Sequence, residues 1–148
     1  MKTFFNSIIF LVASFQSLAQ IKNADAIVGV WMSVENNLKV EVYKDKNTFK
    51  AKILWFDDSD DKSKPTDVRT DEKNPDKSLR TRKLIGMDVL DNLKYDEDDD
   101  EWENGKIYDS KTGKYWSSVV WLTKDNFLKV KGYWLFKFLS ETVTFKRV

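Results

Sequence analysis

From Val28 onward the apolar residues of this chain recur mostly at every second position, in short runs separated by polar turn formers, and that pattern confines the chain to β-structure. Leu38, Val40 and Val42 alternate with Lys39, Glu41 and Tyr43, and Phe49, Ala51, Ile53 and Trp55 alternate with Lys50, Lys52 and Leu54. Ile85, Met87 and Val89 share a face of the next run, and Tyr115, Ser117, Val119 and Trp121 share a face of a later one. Leu128 with Val130 continues the pattern, and Val143, Phe145 and Arg147 close it. The runs predict eight strands, at 28–34, 38–45, 48–56, 84–91, 105–109, 114–122, 126–134 and 140–147. Asn36-Asn37, Asp45-Lys46-Asn47, Asn104-Gly105, Thr112-Gly113 and Lys124-Asp125-Asn126 fall between them and supply turn chemistry. The expected fold is all-β: an up-and-down antiparallel eight-stranded β-barrel, whose interior fits side chains or one small ligand. A short helical turn over 24–28, capped by Asn23 or Asp25, leads into the first strand.

The chain starts differently. Met1 and Lys2 give a positive start, Phe4 to Phe15 is mostly apolar, and Ser17-Leu18-Ala19 places small residues where a signal peptidase cuts. Residues 1–19 therefore read as a cleavable signal peptide, with the mature chain starting at Gln20 and residues 20–148 forming one domain. Asn6, Ser7, Ser14, Gln16 and Ser17 interrupt a run already shorter than the roughly 20 apolar residues of a membrane-spanning helix. The expected destination is the periplasm or the medium, with no stable membrane insertion after cleavage. Without Lys2 the remaining 24 basic residues balance 24 acidic ones, so general attraction to nucleic acid is not expected.

The chain has no cysteine and no histidine. A Ser-His-Asp or Cys-His nucleophile is thereby excluded, as is any zinc site built on imidazole or thiolate. Carboxylate, tyrosine or lysine chemistry, oxygen-ligated metals and plain binding stay open. No catalytic residue, structural metal or cofactor is assigned.

Residues 57–83 interrupt the regular spacing with a long, charged connection that contains Pro65 and Pro75. Connections of this length are commonly lids, binding loops or disordered segments. Its end, Leu79 to Leu84, mixes cations with apolar anchors and is expected to dock on the barrel, whereas Asp57 to Lys64 reads as mobile. The acidic runs Asp57–Asp61 and Asp96–Glu101 lack the glycine of a calcium loop and read as solvated tips. Arg80 and Arg82, with Lys83, could hold a carboxylate or phosphate, or pair with the loop's own acids, among them Asp71 and Asp76. Of the six tryptophans, Trp31 and Trp102 read as packing, while alternation sends Trp55 and Trp121, with Tyr115 on the face of Trp121, toward the interior as candidate ligand contacts.

Gly29-Val30-Trp31 after a helical turn, with Arg147 at the end of the last strand, resembles the signature of lipocalins and their calycin relatives. The resemblance implies that Arg147 packs over Trp31 and closes one barrel end, a structural role for both. More narrowly, the chain resembles the bacterial family called domain of unknown function 2147. The matching stretches are Asp25–Trp31, Asp71–Asp76 with Leu79–Arg82, Leu84–Gly86, Gly105–Asp109 with Gly113–Tyr115, and Val130–Tyr133. Lys83 departs from this pattern where a proline is expected, and Tyr133 to Phe138 is more aromatic than usual.

The leading expectation is an exported, non-catalytic module that binds a small apolar or amphipathic ligand under a lid formed by residues 57–83. The alternatives are an envelope protein that contacts a protein partner through that loop and, behind it, a carboxylate-dependent hydrolase.

Overall fold

A computed structural model describes residues 22–133 and 140–148. The expected signal peptide, residues 1–19, lies outside the described residues, as does the aromatic stretch after Tyr133. A 3-10 turn, Ala24–Ile27, precedes eight strands: β1 Gly29–Ser33, β2 Leu38–Asp45, β3 Thr48–Phe56, β4 Asp88–Asp96, β5 Glu101–Asp109, β6 Lys114–Leu122, β7 Phe127–Tyr133 and β8 Ser140–Arg147. Each strand pairs antiparallel with the next, and β8 returns to β1, so the sheet is a closed barrel in sequence order. Closure leaves no free sheet edge among the described residues.

Turn residues act where the backbone needs them. Asn36, Lys46 and Asn126 adopt positive φ in the turns after β1, β2 and β6. Asn23 caps the 3-10 turn by accepting the Asp25 N–H at 2.9 Å. The core runs through the barrel from Ile27 and Trp31 to Leu90, Leu93, Val120, Leu128 and Phe145.

β4 and β5 correct the expected boundaries. The fourth strand starts at Asp88 and runs to Asp96, where 84–91 was expected, because Leu84–Met87 forms a turn through Gly86 at φ 82°. The fifth extends back to Glu101, because Asn104-Gly105 makes a bulge inside the strand and no chain reversal. Asn92 and Asn104 lie side by side at φ 59° and 61°, and the Asn92 side-chain amide donates to the Asn104 carbonyl at 3.2 Å. Each bulge adds a residue, so Leu90 and Leu93 both join the core, as do Trp102 and Gly105 on the neighbouring strand. Gly105 leaves room for Ser118: a Cβ there would overlap the Ser118 hydroxyl and stand 2.7 Å from Leu93 Cδ1.

Candidate functional site

The end of the barrel at the start of β1 is closed. Trp31, fully buried, stands opposite Arg147 in register. The guanidinium carbon lies 4.2 Å from the centroid of the indole ring, and the guanidinium donates to the carbonyls of Val28 and Ala26. Trp31 Nε1 donates to the Ile27 carbonyl at 2.8 Å, and Trp102 Nε1 to that of Ala24 at 2.9 Å. Two indoles and one arginine thus satisfy the 3-10 turn's carbonyls and fix it as a floor. Gly29, at φ 137°, makes this possible, since a Cβ there would lie 2.6 Å from Arg147 Nη1.

Above that floor the interior holds a cavity of about 260 Å³. Ile27 lies at its base, and its walls include Val40, Val42, Ala51, Leu90, Leu93, Val120 and Leu128. Toward the other end of the barrel its lining becomes Asp109, Trp116, Gly132, Glu141 and Val143, from β5, β6, β7 and β8. Val143 lies between the inward residues Glu141 and Phe145 yet is 44% exposed, so the interior is open at this level. The wall is apolar, and among the described residues Asp109 and Glu141 are its charged lining residues.

The aromatic candidates are placed otherwise than alternation predicts. Trp55 is 39% exposed and lines no part of the cavity. The ladder between β2 and β3 shifts at this point, pairing Val40 with Ile53 but Lys39 with Trp55, and the irregularity turns Trp55 out of the interior phase. In β6 the phase is the opposite of that expected. Trp116 and Val120 line the cavity, Tyr115 is 55% exposed, and Trp121 sits across from Lys129 outside the lining. That strand is apolar on both faces, so period two alone leaves its phase undetermined. Trp116 lines the cavity although the alternation of β6 does not single it out.

The long connection packs on itself and on the β5–β6 hairpin. Asp71, fully buried, accepts hydrogen bonds from the Asn74 amide at 2.6 Å, the Tyr108 hydroxyl at 2.7 Å and Arg82 Nε at 3.0 Å. Arg82 also lies over the Tyr108 ring, 5.6 Å from its centroid. Burial alone would raise the Asp71 pKa, but the hydrogen bonds from Asn74, Tyr108 and Arg82 and the Arg82 charge hold it below the ordinary carboxylate range. Burial and the bond to Asp71 push Tyr108 up to about 12. Arg80 Nε donates to the Asn74 carbonyl at 2.7 Å. Both arginines therefore serve the connection, and neither lines the cavity.

The start of the connection, expected to be mobile, is closely bonded. Thr66 donates to Asp58 through its amide and hydroxyl, both at 2.8 Å, and Arg69 reaches Asp60 and the carbonyls of Asp58, Asp61 and Lys64 while lying over Phe56. No residue of 57–83 lines the cavity. Among the described residues no group of three or more carboxylates is gathered where it could hold a metal ion.

The sequence profile of DUF2147, described as "Uncharacterized protein conserved in bacteria", matches residues 29–147. The chain belongs to the DUF2147 family. The matched span takes in all eight strands and the long connection, so the Asp71 network and the cavity walls above Ile27 belong to the DUF2147 region. A solved structure described as "Protein HP1028 from the human pathogen Helicobacter pylori belongs to the lipocalin family" is similar to this DUF2147 chain at a TM-score of 0.68, with 21% identity over 82% of each chain. The DUF2147 barrel is therefore lipocalin-like. No curated protein matches the chain.

Proposed function

We propose that this protein is an exported, non-catalytic binding module that takes one small apolar or amphipathic ligand into the barrel cavity. The observation that carries the reading is a cavity of about 260 Å³, walled by aliphatic side chains and closed at one end. Its size is just below the about 300–1,000 Å³ of pockets for drug-sized ligands, which favours a single short chain or one ring system. Export rests on the leader at residues 1–19, with cleavage after Ala19.

Native mass spectrometry of the protein recovered from its own host's envelope or medium tests both halves. The expected species starts at Gln20 and carries one retained small molecule, released on denaturation. Retention of residues 1–19 would refute export. A protein that is always empty, and that takes up no apolar compound offered, would refute the binding role.

A further inference from the structure

Resting on that reading of the cavity, we propose that the ligand carries a cationic amine, seated at the cavity mouth between the Glu141 carboxylate and the Trp116 indole. The polarity of the lining points there, because among the described residues its charged members, Asp109 and Glu141, are acids. Asp109 is engaged in its own turn, accepting the Lys111 N–H at 2.9 Å and the Thr112 hydroxyl at 2.6 Å. Glu141 has no hydrogen bond or ion pair among the described residues and projects at the mouth.

Register supplies the space. Glu141 stands opposite Gly132, and Gly132 opposite Ser118, two residues along β6 from Trp116. A Cβ at position 132 would lie 3.5 Å from Ile107 Cδ1 and 3.9 Å from Trp116 Cβ. The missing side chain leaves a notch between a carboxylate and an aromatic ring. Those two groups recognise a cation in complementary ways, the carboxylate by charge and accepted hydrogen bonds, the indole through the negative face of its ring. Among the described residues the lining offers an anionic head two acids, Asp109 and Glu141, and no cation. An alkyl or aryl-alkyl amine, charged at neutral pH, matches both the apolar wall and this mouth.

The test is displacement of the neutral apolar probe N-phenyl-naphthylamine from the full mature chain by octylamine, octanol and octanoate at pH 7 and low salt. Octylamine should displace the probe at roughly tenfold lower concentration than octanol, with octanoate weakest. The amine preference should shrink to about twofold or less in Glu141→Gln, and shrink also in molar salt, where exposed charges are screened. The probe itself should bind both proteins alike. Equal displacement by amine and alcohol, stronger displacement by octanoate, or a preference unchanged in Glu141→Gln would overturn the amine assignment while leaving the cavity reading in place. Failure of the probe to bind the wild-type protein would overturn both.

Discussion

Truncating Trp31 to alanine should cost the folded state about 3–5 kcal/mol, the range for removing a large buried aromatic side chain. The indole is fully buried and holds the 3-10 turn through its bond to the Ile27 carbonyl, so the cavity that replaces it also frees the barrel floor. Arg147→Ala should cost less, since that side chain is exposed and its donors can return to water. The two losses should not add. Arg147 lies over the Trp31 ring and bonds the carbonyls of Val28 and Ala26 on either side of the residue that Trp31 holds. Once either partner is gone, the other has lost part of its role. In a double-mutant cycle by chemical denaturation, the double mutant should lose less than the sum of the singles by more than about 0.5 kcal/mol. Additive losses would mean that the arginine merely lies near the ring without closing the barrel.

Asp71→Ala should be the most damaging change in the long connection, at about 3 kcal/mol. One buried carboxylate accepts from Asn74, Tyr108 and Arg82, so its removal leaves three donors facing no acceptor. Arg82 is partly exposed and can rehydrate, which keeps the cost below that of a fully buried pair. The linkage has a definite sign. Asp71 has a depressed pKa in the folded protein, so its contribution is complete above the unfolded value of about 3.9 and is lost as pH falls through the lower folded value. Tyr108 has a raised pKa, so its contribution is complete below the unfolded value of about 10 and is lost as pH rises through about 12. The melting temperature difference between wild type and Asp71→Ala should be widest and flat between about pH 4 and 10, and should narrow outside that window. A difference that stays constant into strong acid would show that folding does not lower the Asp71 pKa.

The extent to which the sequence reveals this fold follows from where period two is kept. β1 to β3 and β6 to β8 lie within one residue of the expected ends, because apolar alternation and turn formers agree there. β4 and β5 carry paired bulges at Asn92 and Asn104, which break the alternation. An asparagine at positive φ before a glycine reads as a hairpin turn although the chain continues straight on. The floor was legible because Gly29, Trp31 and Arg147 are distinctive and lie at strand ends. The mouth was less so, since Trp116 competes with Tyr115 for the inward phase of β6, and tertiary closure decides between them. Gly132 inside β7 was the available signal, a strand glycine marking space beside its neighbours.

Filling the barrel interior tests whether it is a binding site. Val143 faces the cavity, is half exposed there, and pairs with Val130, another lining residue, so a tryptophan at 143 should occupy the space without disturbing the floor. Titration of wild type and Val143→Trp with N-phenyl-naphthylamine, with circular dichroism to verify that both are folded, is the measurement. Saturable one-to-one binding to the wild type is expected, weakened at least about tenfold in the folded filled variant. Equal binding by both proteins would place the probe somewhere other than the cavity and rule out the barrel interior as the binding site.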